Sequence, residues 1–237
     1  MAAHAPLGIE VLKRGIVFID LATAQVVGLA IILLGIWFDE PISIVRQGVT
    51  FGAGVVIALF FRWIERQSPD EQEAVIGSSF IVAASAGLLV LANDPHGGEA
   101  LNEVLSGQIL FISWGDIATF LPVYGIFAIA WFIAPRLRSG TGFFVLFALV
   151  ITSSVQLVGV YVVFASLILP ALAAREGKRY ILWRAYMCGA VSVVAAILIS
   201  AAVDLPAGPF LALCFAVSAA AIRLLYRAKR CRTDALQ

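Results

Sequence analysis

The chain has 237 residues, 62% of them hydrophobic and 13% charged, with a formal net charge of +1. Soluble domains average about 45–50% apolar and about 25% charged residues, and at a mean hydropathy of +1.00 this sequence carries more apolar surface than a soluble fold of its length can bury. The near-neutral balance excludes the overall field of a nucleic-acid binder, and Cys188, Cys214 and Cys231, odd in number and without CxxC spacing, exclude a disulfide framework.

Residues 1–14 are short and mixed and contain no cleavable signal peptide. Apolar runs follow at 15–37, 46–64, 75–93, 115–134, 142–173, 181–203 and 208–225. A membrane helix needs about 20 apolar residues, and backbone in lipid must satisfy its own hydrogen bonds, so these runs are helices. The break at 94–114 opens on the turn cluster Asp94-Pro95-His96-Gly97-Gly98. Residues 99–112 then set Glu99 and Glu103 against Leu101, Val104 and Leu105, the pattern of a short helix at the membrane interface rather than a span.

The run 142–173 holds 32 residues without a charge, too long for one pass and the length of two short ones. Its break is expected near Gln156-Leu157-Val158-Gly159, giving segments 142–157 and 159–173. Basic residues decide between the readings. With two short passes and both termini cytoplasmic, the cytoplasmic face collects every Lys and Arg except Arg46, 15 of the 16. A single pass would place Arg175, Lys178 and Arg179 opposite Arg136 and Arg138. The expected fold is all-α, a polytopic transmembrane helical bundle of about eight segments, one permease-like domain over 1–237 with a basic cytoplasmic tail at 226–237. The outer loops carry Asp39, Glu40, Asp94, Glu99, Glu103, Asp116 and Asp204, an acidic face that either concentrates cations or records the exclusion of basic residues.

Asp20 is the most informative single residue. It lies in GIVFIDLATAQVVGLAII with apolar sequence on both sides, and an intramembrane carboxylate costs roughly 2.5–3.5 kcal/mol unless paired or hydrated. Thr23 shares its helix face and Gln25 flanks it. Either Asp20 borders a hydrated path, or it sits near the interface and pairs with Lys13 or Arg14. Thr152, Ser153, Ser154 and Gln156 form a polar group just ahead of the expected break, as helix–helix glue or as part of a route through a discontinuous helix. Asp94, His96 and Glu99 offer hard or borderline ligands for an outer cation contact. No P-loop, HExxH or Ser-His-Asp pattern occurs, so an enzyme is not expected and no cofactor is implied.

Five stretches occur in a fixed order: VLKRGIVFIDLATAQVVGLA, EQEAVIGSSFIVAASAGLLVL, LSGQILFISWGDI, SSVQLVGVYVVFASLILPALAAR and VDLPAGP. Together they resemble the membrane permeases of ABC-type metal importers, the zinc and manganese uptake family. The resemblance implies a homodimer with a path between the copies, a cytoplasmic ABC ATPase, a periplasmic or extracellular metal-binding protein, and a bacterial inner membrane. Asp20 matches the family's intramembrane carboxylate and is the expected metal contact; the expected translocation path runs along Asp20, Thr23, Gln25, Ser154 and Gln156, and ATPase coupling is expected through the loop at Arg136 and Arg138 or the loop at Arg175, Lys178 and Arg179. The sequence departs from the family pattern in three places. The family's first helix is missing, HAPLGIEVLKRG resembling its tail. The histidine one turn after the carboxylate falls on Ala24 or Gln25. The cytoplasmic docking helix shrinks to APRLRSGTG. The expected function is the permease subunit of an importer for zinc, manganese, iron or a metal chelate; an ion-gradient-driven transporter and a non-transporting membrane scaffold are the alternatives.

Overall fold

The structure, a computed structural model, describes residues 1–38, 42–107, 109–175, 180–203 and 207–234. Among these residues there is no strand. The helices are α1 (His4–Arg14), α2 (Ile19–Trp37), α3 (Ser43–Gln67), α4 (Gln72–Leu91), α5 (Gly97–Ser106), α6 (Trp114–Ile133), α7 (Gly140–Ala174), α8 (Ile181–Val203) and α9 (Ala207–Asp234). Seven of them, α2, α3, α4, α6, α7, α8 and α9, are long and apolar enough to cross a membrane. The chain is a multi-pass membrane protein with an all-α, polytopic helical bundle, as the apolar runs require.

The expected break in the long run is present. Gly159 adopts φ 78° and ψ 166° inside α7, so helical backbone runs over 140–158 and again over 160–174. That conformation is open essentially to glycine alone. The first piece is about 28 Å long at 1.5 Å per residue, and α7 is not one straight rod. Counted whole, α7 gives seven spans; cut at Gly159 it gives eight helical segments.

The chain divides into two compact units: Met1–Arg14 with Phe164–Gln237, and Gly15–Val163. In the first unit α8 packs on α9 and on α1. The sequence reading extended the first apolar run back to residue 15 and assigned no element before it. The structure instead forms α1, and Gly15 at φ 74° ends it, a left-handed stop that glycine permits. His4, Leu7, Gly8 and Val11 make its buried face, an i, i+3, i+4, i+7 pattern legible in hindsight. Glu10 holds both Arg14 (3.2 Å) and Lys13 (3.6 Å). His4 Nδ1 lies 2.7 Å from the buried Ser166 Oγ. Burial, helped by the nearby N-terminal amine, pushes the imidazole down to about 3, so it is neutral at pH 7. A Cβ on Gly8 would collide with the Leu167 carbonyl, so α1 lies backbone-close to the second half of α7.

In the second unit α2 contacts both α3 and α4, and α3 contacts α4. Residue pairings fix their directions. A Cβ on Gly54 would meet Thr152 Oγ1 and Val27, and one on Gly140 would meet the Arg62 guanidinium, so α3 runs antiparallel to α2 and to the first half of α7. Phe18 N donates to Glu73 Oε1 at 3.2 Å, and Gly87 faces Ile32, so α4 runs parallel to α2. The end where α2 begins and α3 finishes is here called proximal; the end where α2 finishes and α3 begins is distal. The spanning windows of α2 and α7 are 56% and 67% buried, against 22–28% for the other five. These two therefore face protein, while the others leave most of their apolar surface to lipid or to further protein.

The 94–114 break folds as the short helix α5, as its amphipathic pattern indicates. One residue of its apolar side contacts α2: Val104 reaches the position a Cβ on Gly28 would occupy. Gly107, at φ 65°, meets Val158 and Gly159 backbone to backbone. A Cβ on either glycine would fall on the other's main chain, so α5 and the break in α7 fit together only with glycine at both positions.

Candidate polar seam and distal cavities

The second unit brings polar side chains together at its two ends, in different environments. At the proximal end Asp20 occupies the first turn of α2 and is 1% exposed. Its Oδ1 accepts from Leu21 N at 2.8 Å, while its Oδ2 is buried with no partner. Glu73, in the first turn of α4, lies within electrostatic reach of Asp20. One Glu73 oxygen takes the Phe18 N–H and the other is likewise buried without a partner. Gln72 is buried too, its Nε2 unpartnered. Thr23 and Gln25 are buried on α2, the Thr23 hydroxyl donating to the Ile19 carbonyl at 2.7 Å. An unsatisfied buried polar atom costs about 1–3 kcal/mol, more when charged, so the three unpartnered atoms of Asp20, Gln72 and Glu73 make this end costly to the fold and a candidate site. Sequence reasoning found Asp20 and missed Glu73 and Gln72; the run EQEAVIG carried the signal, a polar entry into an apolar helix.

At the distal end Gln156 lies just before the break in α7. Its Nε2 donates to Thr50 Oγ1 (3.3 Å), Gln47 Oε1 (3.5 Å) and the Thr152 carbonyl (3.3 Å). Thr50 in turn donates to the Arg46 and Gln47 carbonyls. Ser154 is buried, its Oγ 2.8 Å from the Tyr124 hydroxyl of α6. Gly54 lets α3 close on Thr152. Two cavities open here, of about 340 and 330 Å3, and Arg46, Glu103, Val155 and Gln156 line both. Asp94 lines the first, Gln47 and Asp116 the second. Asp116 also caps α6: Ser113 N and Oγ donate to its Oδ2 at 2.9 and 2.7 Å, and its own N–H donates back to Ser113 Oγ, the reciprocal arrangement of a capping box.

The residues named from the sequence thus fall into separate groups. Asp20, Thr23 and Gln25 lie together proximally, and none of them lines the two cavities. Ser154 and Gln156 lie distally; with Val27, Gly54 and Thr152 at one level, eleven residues of helix put Asp20 and Gln156 about 16 Å apart along the axis. Asp94, His96 and Glu99 share the turn into α5. Asp94 Oδ1 accepts from His96 N at 2.8 Å, and His96 Nδ1 is 3.6 Å from Glu99 Oε2 in a pair more than four-fifths exposed. Among the described residues no group of three His, Cys, Asp or Glu side chains is placed to hold a metal ion. Arg136 is exposed in the turn 135–138; Arg138 is half-buried, donating to the Trp131 carbonyl at 2.6 Å with its guanidinium 5.6 Å over the indole. Arg175 is exposed after α7. Lys178 and Arg179, like Asp39, Glu40 and Asp204, lie outside the described residues.

No curated protein matches the sequence. The solved structure of PsaBC from Streptococcus pneumoniae in complex with Fab matches 95% of this chain and 85% of that one, at 20% identity and a TM-score of 0.68, a likeness of fold. The profile of the ABC 3 transport family matches residues 2–138 and 136–226. That profile spans most of the sequence, over an all-α bundle of apolar helices: the chain belongs to the ABC 3 transport family.

Proposed function

We propose that this chain is the permease subunit of an ABC importer for a divalent metal, zinc, manganese or iron or a chelate of one, acting as a homodimer in a bacterial inner membrane. A cytoplasmic ABC ATPase and a periplasmic or extracellular metal-binding protein complete the importer. The whole chain serves as one permease domain, eight passes with both halves of α7 crossing and both termini cytoplasmic, so the proximal end faces the cytoplasm. The family assignment supports the transport role. The observation that carries the site is Asp20, enclosed in the bundle with one carboxylate oxygen left unpartnered. A carboxylate retained in that state points to a cation that visits it.

In this reading cargo enters distally, past Asp94, His96 and Glu99, follows Ser154 and Gln156, and reaches Asp20 with Thr23 and Gln25 before release. Alternating access around the discontinuous α7 moves it. The exposed turn at Arg136, anchored by Arg138, and the loop at Arg175, Lys178 and Arg179 receive the ATPase. Asp20→Asn is expected to abolish uptake of radiolabelled metal while the protein still reaches the membrane at its normal level. Wild-type uptake by that variant removes the site. An ion-gradient-driven transporter would instead accumulate metal when the ATPase partner is deleted.

A further inference from the structure

The turn that joins α6 to α7 is pinned on both sides, although connections between helices are ordinarily the mobile part of a bundle. On the α6 side, the Trp131 carbonyl has no helical donor, because the residue four positions on is Pro135, which lacks an N–H. Arg138 supplies the missing donor: its Nε reaches that carbonyl at 2.6 Å. The guanidinium also lies 5.6 Å over the Trp131 indole, a cation–π contact at the helix end that favours positive charge. The buried indole is stacked in turn on buried Phe127, with ring centroids 5.3 Å apart. On the α7 side, a Cβ on Gly142 would come within 2.8 Å of the Leu137 carbonyl oxygen. The backbone of the turn therefore rests directly on the first turn of α7. Arg136 and Leu137, between these two anchors, are exposed.

The helix against which the turn rests is stiff. Between Gly142 and the break at Gly159, α7 contains neither glycine nor proline. By contrast α6 carries Pro122 inside its span, where a helix bends. The first half of α7 is also tied to α3 near both of its ends. Arg62, paired with Glu65, lies 3.5 Å from the place a Cβ on Gly140 would take, and Gln156 donates to Thr50 and Gln47. Gln156 and Val155 line both distal cavities, as does Arg46 of α3. A displacement of the turn thus has a rigid route to the cavity wall, about 24 Å away along the helix axis at 1.5 Å per residue.

We propose that Arg138 is a positioning residue for transport. By clamping the turn to the end of α6, it makes the turn and the first half of α7 move as one piece, so that a push from the ATPase on Arg136 and Leu137 reaches the distal cavities. This rests on the importer reading above and specifies how its stroke is transmitted. The test reconstitutes the chain with its ATPase and binding protein in lipid vesicles and reads labelled manganese or zinc taken up per ATP hydrolysed. A residue that served only folding or docking would lower uptake and hydrolysis in step; a residue that transmits movement lowers their ratio. Arg138→Gln is expected to cut the ratio by about tenfold, the weight of a charge-assisted contact, in a complex that still assembles. Arg138→Lys keeps the charge and loses the planar stacking, and its ratio is expected to fall between. Gly142→Ala, which forces the turn off α7 without altering Arg138, is expected to lower the ratio likewise. A wild-type ratio in Arg138→Gln or Gly142→Ala, or uptake and hydrolysis falling in step, overturns the proposal and leaves the importer reading intact. If neither variant assembles, Arg138→Lys is read by the same two outcomes. Wild-type vesicles that take up no metal when given ATP overturn both.

Discussion

Asp20 and Gln156 are both polar residues in apolar helices, yet the structure treats them differently. Gln156 is satisfied: its amide reaches Thr50, Gln47 and a carbonyl of its own helix, and it borders open cavities. Asp20 is sealed in and keeps an oxygen without a partner, near the half-buried Glu73, which also has one buried oxygen without a partner. A satisfied buried amide contributes to packing and specificity; an unsatisfied carboxylate detracts from stability and persists where function selects it. The pair teaches that exposure to a cavity and readiness to bind are separate properties, and that the residue with spare capacity is the enclosed one.

The contrast depends first on the break that ends the Gln156 helix. Gly159→Val is expected to lose more than about 4 kcal/mol, since it combines a forbidden φ with a collision against Gly107; the protein should fail to accumulate in membranes, and normal levels with normal melting would show that the break is dispensable. The first unit, by contrast, responds to acid. Folded His4 resists protonation down to about pH 3, whereas the unfolded side chain titrates near its ordinary 6.5. Between those values the unfolded state binds the extra proton, so stability is full above about 6.5 and falls as pH drops, by roughly 1.4 kcal/mol per unit. Melting in detergent should drop by the equivalent of about 2 kcal/mol from pH 7 to 5, and His4→Gln should flatten that slope. Equal slopes would place the acid sensitivity elsewhere.

Asp20→Asn then separates the two polar residues directly: removing the charge should raise thermal stability by about 1 kcal/mol while transport is lost, the signature of a group kept for function. A destabilised variant would mean that Asp20 serves the fold. Gln156→Leu should move the other way, costing about 1 kcal/mol because Thr50 and Gln47 lose a shared partner, read as a shift in the melting midpoint of the purified protein. Unchanged melting would show that the seam between α3 and α7 is held by apolar contact alone.

Much of the fold was legible. The apolar runs, the amphipathic insertion and the break inside 142–173 follow from length and charge placement, because lipid forces every long apolar run into a helix and 32 uncharged residues exceed the length one straight pass needs. Less of the site could be read. Asp20 stands out by type, but its neighbour Glu73 does not, because α2 and α4 are adjacent through packing and not through spacing. Arg46 looks like a stray basic residue in sequence and becomes part of the shared wall of two cavities once α3, α5 and the end of the first half of α7 meet.

The sequence by itself determined that this protein lives in a bilayer, how its chain is partitioned into helices, and that a carboxylate lies among them; composition and periodicity are local quantities and carry that information. Only the tertiary structure decided that Val104 of α5 packs against Gly28 of α2, that Gly107 and Gly159 interlock, and that Asp20 keeps an unpartnered oxygen while the Gln156 amide finds acceptors. Those facts depend on which helix faces are apposed, and apposition is set by close packing between residues far apart in the chain.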